Sequence, residues 1–308
     1  MTKFSIVIAT YNRAEVLREN LQAIAERVDD FDQFEVLVVD NDSADDTKAV
    51  TGVFQNSIPS LRYIFEPKAG VSNARNRGAE EAKADWLIFL DDDCKIRDTF
   101  CDAARRILLE DKYRFVGGIY HAWYPTGKPQ WLNSHQFSNI DVMPEGNPVL
   151  PERRFASAGI VLIEKKLLVG AGMWPTELGG VGKIMRFGEE NLLQRQVRKM
   201  DVPIAMSRGL AMDHLVPNYK LKMSWWIKSR FQKGRDYMLS QLSPPSIHSV
   251  LFRTMKQIKL ALVALCIGTP RLVTGGYYWQ NWVIDFICPW FRIAGYWVGA
   301  LKSWRGRV

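Results

Sequence analysis

Trp86-Leu-Ile-Phe-Leu-Asp-Asp-Asp93 places three carboxylates directly after a short apolar run, and the fold prediction depends on this segment. Residues 86–90 have the length and composition of a buried strand. Adjacent carboxylates repel one another unless a cation neutralises them, and the hard ions Mg²⁺ and Mn²⁺ prefer such oxygen ligands. The segment therefore predicts a divalent-metal site at the end of a strand, with a solvated acidic turn as the alternative.

Short apolar runs alternate with stretches of helical periodicity through the first half of the chain. This alternation is typical of βαβ units and predicts an α/β fold with a mostly parallel sheet flanked by helices. The first predicted strands are 5–9, 35–39, 62–65 and 86–90; the helices between them are 14–27, 44–54 and 71–84, with Ser43 and Ser72 as N-caps. Further along we predict helices 98–110, 165–171 and 189–199, strands 114–120 and 158–163, and loops 121–151 and 174–183.

Polar residues also follow the other predicted strands, where a parallel sheet binds its ligands. Asp40, after the second strand, can accept hydrogen bonds from a base or a ribose, although forming a turn and capping a helix with Asp42 and Ser43 is the alternative. The segment 70–78 begins a helix whose N–H groups and arginines can meet phosphates or support the acidic loop. Ordinary surface arginines are the alternative there.

The charge is unevenly distributed. The whole chain carries +8, but residues 215–308 hold 14 Lys/Arg and 2 Asp/Glu, a net of +12, which leaves −4 for residues 1–214. The same basic part holds seven of the eleven tryptophans and long aliphatic runs. Basic residues mixed with Trp and aliphatic residues suit an anionic membrane surface at least as well as nucleic acid. We expect a membrane surface, and no nucleic acid, as a partner.

Two apolar stretches in this part, 258–267 and 279–301, are interrupted by charge, Gly or Pro before they reach the about 20 residues of a spanning helix. In the second stretch, apolar residues recur every three or four positions, with Pro289 predicting a kink: Trp282, Phe286, Trp290, Ile293, Trp297 and Leu301. We predict an interfacial or re-entrant segment. The cysteines show no paired spacing and the apolar run at the N-terminus is too short for a signal peptide, so we expect a reducing, cytosolic location: Cys94, Cys101, Cys266 and Cys288.

Four elements together resemble the inverting glycosyltransferases of family 2, which have the Rossmann-like GT-A fold of nucleotide-diphospho-sugar transferases. They are Ile-Val-Ile-Ala-Thr-Tyr-Asn-Arg (6–13), Val-Val-Asp-Asn-Asp-Ser (38–43), Ala-Gly-Val-Ser-Asn-Ala-Arg-Asn-Arg-Gly (69–78) and Phe-Leu-Asp-Asp-Asp (89–93). The resemblance implies that Asp91 and Asp93 form a D-x-D pair that holds ribose and a Mn²⁺ or Mg²⁺ ion. The remaining residues implied for the nucleotide-sugar are Thr10, Tyr11, Arg13, Asp40, Asp42, Asn73, Arg75, Arg77 and Asp92.

Phe187-Gly-Glu-Glu-Asn-Leu-Leu resembles the Gly-Glu-Asp element that opens a helix under the acceptor site of the family. The implied general base is its second acidic residue, Glu190. This chain has Glu where Asp is usual and Leu192 where a second Asp often lies, so the base stays open between Glu190 and Glu189. Glutamates that only stabilise the start of a helix are the alternative.

Two further elements carry a family resemblance. His214 resembles the His that closes the catalytic domain near the metal or diphosphate, and neutral imidazole is a reasonable Mn²⁺ ligand; a structural His is the alternative. Arg230 and Arg235 match a basic element of some members and are candidates for contact with a diphosphate.

The resemblance implies transfer of a sugar, with inversion, from a nucleotide-diphospho-sugar, a UDP-sugar by family frequency, to a saccharide or lipid-linked hydroxyl in surface-polysaccharide assembly. We predict a GT-A domain at 1–215 and a basic, Trp-rich helical region at 216–308 that attaches peripherally to the cytoplasmic face of a membrane. The alternatives are a nucleotidyltransferase, whose usual Gly-rich phosphate loop is replaced here by Thr10-Tyr-Asn-Arg13, and a non-catalytic, membrane-bound assembly factor. A D-x-D-x-T phosphatase is disfavoured because no Thr stands at the required offset from Asp93.

Overall fold

The computed structural model describes residues 2–133, 136–142, 148–182, 186–275 and 277–306. Their strands form one sheet: β1 (Phe4–Thr10), β2 (Phe34–Asp40), β3 (Leu61–Phe65), β4 (Trp86–Asp91), β5 (Cys94–Ile96), β6 (Phe115–Trp123), β7 (Ile160–Glu164) and β8 (Ala205–Leu215). The order across the sheet is β3-β2-β1-β4-β7-β6-β8-β5. The α/β prediction with a mostly parallel sheet is confirmed.

The parallel half of the sheet brings the ends of three strands together. β1 pairs with β2 and β4, and β2 with β3, all in parallel. In this register Thr10 lies beside Asp40, and Ala9 beside Asp91. Because the strands are covered on both faces, their side chains are apolar on both sides, and the first polar residues come at the carboxyl edge.

Helices cover both faces of the sheet and continue into a helical C-terminal part. They are α1 (Ala14–Arg27), α2 (Thr47–Val53), α3 (Val71–Glu81), α4 (Phe100–Glu110), α5 (Lys165–Gly170), α6 (Glu189–Lys199), α7 (Met223–Leu239), α8 (Ile247–Val263), α9 (Thr269–Thr274), α10 (Trp279–Trp282) and α11 (Cys288–Trp304). A π-helical turn, Ala264–Gly268, joins α8 to α9, and another, Val283–Ile287, joins α10 to α11. Short 3₁₀ turns occur at Ile140–Val142 and Asn218–Leu221.

The alternation of side chains along the strands divides the core into two layers. Ile6 and Ile8 of β1 pack on the face covered by α1 and α4, where Leu17 and Phe100 are fully buried. Val7 points to the other face, which α3 and α6 cover. Burial of this apolar surface on both faces is the main stabilising contribution to the sheet.

Both predicted N-caps are wrong. α2 begins at Thr47 with Asp46 as its N-cap, because the Ser43 hydroxyl instead accepts a hydrogen bond from the Asn12 backbone N–H at 2.8 Å. α3 begins at Val71 with Gly70 as its N-cap. Gly70 has a φ of +132°, which residues with a side chain rarely adopt, and its N–H donates to the Asn41 side chain at 2.6 Å.

The predicted loop 121–151 begins later than expected, after Trp123, because β6 continues to that residue and pairs with β8. Part of the loop lies outside the described residues. Its described part covers α7, since Leu132 is buried in a cluster with Trp226 and Trp131.

In the C-terminal part, α11 packs against α7 at backbone distance. A Cβ atom added to Gly295 would lie 2.1 Å from the Phe231 carbonyl oxygen, and one added to Gly299 would lie 2.2 Å from that of Arg235. Pro289 follows the π-helical turn Val283–Ile287. Among the described residues, no helix is both long and apolar enough to cross a bilayer. The division predicted at 215/216 stays a prediction.

Replacement of Gly299 by Ala is expected to destabilise the protein, because the added methyl group meets backbone that cannot move aside independently. We expect a loss of about 1–3 kcal/mol in the free energy of unfolding, measured by denaturant titration. The matched control is Gly52→Ala on α2, where nothing lies within 4 Å of the added atom. That variant should be neutral or more stable by up to about 1 kcal/mol, and equal effects at both glycines would contradict the close packing.

Candidate functional site

The three aspartates at the carboxyl end of β4 each have a cationic or polar partner. The Asp92 carboxylate accepts hydrogen bonds from the Thr10 hydroxyl at 2.8 Å and from the Arg13 guanidinium at 2.5 Å. Asp93 pairs with Arg13 at 3.1 Å and with His214 Nε2 at 3.2 Å. Asp91 accepts from Arg75 at 3.0 Å. The acidic triplet is therefore a built, partly buried cluster and not a solvated turn.

Burial and charge act in opposite directions on this cluster. Burial raises the pKa of Asp92 to about 6, against the opposing charge of Arg13. Burial also disfavours the charged form of Asp93, but hydrogen bonding and charge from His214, together with Arg13, hold its pKa well below the usual range. Asp93 is thus an ionised carboxylate near the protein interior.

Asp91, Asp93 and His214 each offer one ligand atom, and these atoms all lie within 4.8 Å of one another. His214 reaches the aspartates because β8 pairs with β5 and sets His214 opposite Cys94. Two carboxylate oxygens and one imidazole nitrogen are ligands that suit a divalent ion such as Mn²⁺ or Mg²⁺. Nδ1 of His214 is buried without a hydrogen-bond partner among the described residues. The donor set fits a divalent metal ion.

The loops after β1 and β2 hold each other in place beside this cluster. Asp40 is buried and accepts hydrogen bonds from the Tyr63 hydroxyl at 2.7 Å and the Ser43 N–H at 2.9 Å. Asp42 is exposed, with a left-handed φ of +65°. Asp45 accepts from the Ala14 N–H at 2.9 Å and so caps α1. The segment therefore forms the predicted turn, and Asp40 places a polar group at the carboxyl edge of the sheet.

Arg75 connects the aspartates to the start of α6. Its guanidinium is buried, donates to Asp91 at 3.0 Å and to Glu189 at 3.2 Å, and lies 4.7 Å from the centre of the Trp174 ring. A guanidinium presents several donors in one plane, so it can hold two carboxylates and stack on an aromatic ring at once. Asp91, 16 positions after Arg75, and Glu189, 114 positions after it, thereby share one cation.

The two glutamates at the start of α6 have different surroundings. Glu189 is buried and paired with Arg75. Glu190 is half-buried, and its carboxylate accepts a long 3.3 Å hydrogen bond from the Gly188 N–H. Burial and the adjacent charge of Glu189 raise the pKa of Glu190 to about 8. Glu190 also interacts electrostatically with Tyr120 and Lys233.

Not every predicted residue joins the cluster. Arg77 pairs with Glu81 at 2.7 Å on the surface of α3. The Asn73 side chain donates to the Ala69 carbonyl at 3.0 Å. Arg235 is bound to its neighbour Asp236, and Arg230 lies over the Trp226 ring at 5.3 Å. Tyr11 is half-buried at the end of β1.

Three residues that the sequence did not single out take part in the site. The Asn20 amide donates to the carbonyls of Asp91 and Cys94, at 3.2 and 2.9 Å, and fixes the acidic turn. Lys220 and Tyr219 follow β8 and interact electrostatically with Asp93 and Asp92. Lys220 stands six positions after His214, which is the one sequence signal that could have identified it.

A comparison with protein families matches residues 5–168 to the family described as Glycosyl transferase family 2. The matched segment spans β1 to α5 and contains the acidic triplet, Asp40 and Arg75. It covers more than half of the chain.

Two curated relatives and one solved structure are similar to this chain. Glycosyltransferase AglE of Haloferax volcanii is 26% identical over 181 residues, 58% of each chain. A GalNAc(5)-diNAcBac-PP-undecaprenol beta-1,3-glucosyltransferase of Campylobacter jejuni is 33% identical over 95 residues, 30% of each chain. The match thus spans less than two thirds of either relative. The mannosyltransferase PcManGT of Pyrobaculum calidifontis, solved with GDP-Man and Mn²⁺, aligns with a TM-score of 0.70 at 16% identity, over 99% of this chain and 88% of that one, which shows the shared GT-A fold.

The raised pKa of Glu190 predicts a pH-dependent effect of Glu190→Gln on stability. An unfolded Glu ionises near 4.5, whereas the folded protein retains this proton up to about 8. Between these values the native protein therefore loses stability as pH rises, and Gln removes that loss. We expect the melting temperature of the variant to exceed that of the native protein by at least about 2 °C at pH 8 and to match it near pH 4.5.

The measurement is thermal unfolding of both proteins across this pH range, with Glu177→Gln, an exposed glutamate, as control. A constant offset between native and variant protein over the whole range would contradict the raised pKa.

Proposed function

The chain belongs to glycosyl transferase family 2, and on that premise we propose that it transfers a sugar from a nucleotide-diphospho-sugar, with inversion at the anomeric carbon, to a hydroxyl of a saccharide or lipid-linked acceptor in surface-glycan assembly. One observation carries the proposal. Arg75 connects the carboxylate cluster at the sheet edge to the glutamate pair of α6. We assign the carboxylate cluster to the donor and the glutamate pair to the acceptor, and this assignment is supported by the buried cation that contacts both groups.

The surroundings of the two glutamates favour Glu190 as the general base. Glu189 is held by Arg75 and has little freedom to take a proton. Glu190 has no cationic partner within ion-pair distance among the described residues, and its raised pKa of about 8 suits proton transfer near neutral pH. As the acceptor oxygen attacks the anomeric carbon, Glu190 takes the hydroxyl proton and the bond to the nucleoside diphosphate breaks.

The departing diphosphate needs positive charge. A Mn²⁺ or Mg²⁺ ion held by Asp91, Asp93 and His214 would neutralise it. Lys220 supplies a second positive charge near the same place. Burial lowers the pKa of its ammonium group, and the three aspartates oppose that shift. Arg13 stays bound to Asp92 and Asp93 and positions them.

The donor is proposed to be a UDP-sugar, as the family resemblance implies, with Asp40 and Thr10 at the edge of the nucleotide pocket. Because PcManGT was solved with GDP-Man, GDP-mannose is the first alternative. The name of the Campylobacter relative, which includes an undecaprenol diphosphate, supports a lipid-linked acceptor here. The family match favours sugar transfer over nucleotidyl transfer.

Glu190→Gln is expected to lower kcat about 10²–10⁴-fold, because the variant cannot take the acceptor proton. Glu189→Gln should instead act through the position of Arg75 and mainly raise KM. The measurement is release of the nucleoside diphosphate with Mn²⁺, from a panel of UDP-sugars and GDP-mannose. For the native protein kcat/KM should rise with pH and level off above about 8.

Three results would count against these assignments. Equal losses of kcat in the two glutamine variants would leave Glu190 without a distinct role. Full activity of Asp93→Ala would remove the proposed metal site, and a protein inactive with every donor would favour the non-catalytic alternative.

We further propose that the C-terminal part lies on the cytoplasmic face of a membrane. In the segment from α8 to α9, a narrow stripe is buried, and large apolar side chains around it are exposed, including Phe252 at 71% and Met255 at 62%. Lys256 and Lys259 stand among them. Exposed apolar residues interspersed with lysines, in a part of net charge +12, fit an anionic lipid surface.

Phe252→Asp/Met255→Asp is expected to reduce binding to phosphatidylglycerol vesicles at least about tenfold, since it removes apolar area and adds negative charge. Point variants are preferable to truncation, because α11 packs closely against α7 and its removal would expose the packed surface of α7. The measurement is co-sedimentation with vesicles. Leu109→Asp, which is 85% exposed on α4, is the matched control and should bind as the native protein does. Unchanged sedimentation of the double variant would contradict this face.

A further inference from the structure

A cleft of about 360 Å³ lies in the C-terminal part, away from the aspartate cluster. Its walls come from α8, α9 and the first turns of α11, and Arg230 of α7 also lines it. The volume is in the range of about 300–1,000 Å³ that small-molecule sites occupy. The cleft has no role in the steps described above.

The cleft carries unpaired positive charge. Arg230, Arg271 and Arg292 line it, and within the described part of the chain none of them forms an ion pair with a carboxylate. The one carboxylate in its wall, Asp285, accepts a hydrogen bond from the Tyr277 hydroxyl at 2.9 Å. Nε of Arg292 is buried without a hydrogen-bond partner among the described residues. A buried donor that lacks a partner is costly, and converging guanidinium groups are suited to phosphate oxygens.

The rest of the lining is apolar. Leu260, Val263 and Ile267 come from the α8 side, and Ile284 and Pro289 from the opposite side. A free phosphate or a nucleotide would leave this surface without a partner. A ligand that joins an anionic group to a hydrocarbon chain satisfies both parts of the lining.

The cationic part of the cleft is electrostatically linked to the proposed base. Lys233 lies one helical turn after Arg230 on α7 and interacts with Arg230 and Arg292 on one side and with Glu190 on the other. Loss of hydration and the two arginines lower the pKa of its ammonium group to about 8. An anion placed between these side chains would relieve their mutual repulsion.

We propose that this cleft binds the phosphate end and the first part of the hydrocarbon chain of the acceptor, a saccharide linked to a long-chain lipid phosphate or diphosphate. The proposal rests on the proposed glycosyl transfer for its biological meaning. The phosphate contacts Arg230, Arg271 and Arg292, the chain follows the apolar wall towards the exposed face of α8, and the acceptor hydroxyl is directed to Glu190.

The test is calorimetric binding of farnesyl diphosphate, inorganic diphosphate and farnesol to the full chain, with a metal chelator present so that no metal at the aspartates recruits the diphosphate. The native protein should bind farnesyl diphosphate at least about tenfold more tightly than either part alone. The double variant Arg271→Gln/Arg292→Gln should bind farnesyl diphosphate at least about tenfold more weakly than the native protein, since charged hydrogen bonds are lost. Leu260→Trp keeps all three arginines and narrows the cleft. It should weaken the binding of farnesyl diphosphate but not that of inorganic diphosphate.

Lys228→Gln/Lys302→Gln is the matched control and should bind as the native protein does, because it removes the same charge from exposed residues of α7 and α11 that do not line the cleft. Equal binding by native protein and Arg271→Gln/Arg292→Gln would overturn the proposal, as would inorganic diphosphate binding as tightly as farnesyl diphosphate. Nucleotide-sugar binding with Mn²⁺ should be unchanged in Arg271→Gln/Arg292→Gln. A native protein that binds farnesyl diphosphate and transfers no sugar would refute the proposed function and leave the cleft assignment standing.

Discussion

The buried guanidinium of Arg75 is the interaction on which the site depends. It is the common partner of Asp91, at the end of a central strand, and of Glu189, at the start of a helix 114 residues further along the chain. Its desolvation is offset only while both carboxylates and the Trp174 ring stay in place. The loss of either partner would leave buried charge uncompensated, so the sheet edge and α6 are held at one distance and angle.

Charge neutralisation extends outward from this point. Arg13 balances Asp92 and Asp93, Nε2 of His214 lies 3.2 Å from Asp93, and Lys220 approaches the same group from the segment after β8. The balance is incomplete at two places. Glu190 is left with an adjacent like charge, and among the described residues the arginines of the C-terminal cleft form no ion pair with a carboxylate. Unbalanced charge near the interior is where substrates can supply the missing partner, and Lys233 of α7 interacts with both places.

Local patterns were sufficient to predict the parallel half of the sheet, because buried strands are continuous apolar runs and their polar ends are visible in the sequence. The D-x-D residues and His214 were predicted from their resemblance to a family, and the structure brings them together. Ser43 and Ser72 failed as N-caps because competing tertiary hydrogen bonds and a glycine conformation decide those helix starts. Lys220 and Asn20 were missed because their contacts arise only from pairing between strands and loops distant in sequence. The roles of the individual site residues stay predictions.

The carboxylate of Asp236 on α7 accepts the backbone N–H of Phe187 at 2.9 Å, just before α6, and α7 in turn is locked to α11 through Gly295 and Gly299. The segment that leads into α6 is therefore in direct contact with the C-terminal helices. Chimeric enzymes that exchange C-terminal parts between relatives would need to transfer α7 and α11 together with the 187–190 segment. This segment contacts α7, and α7 packs closely against α11, so the three depend on one another.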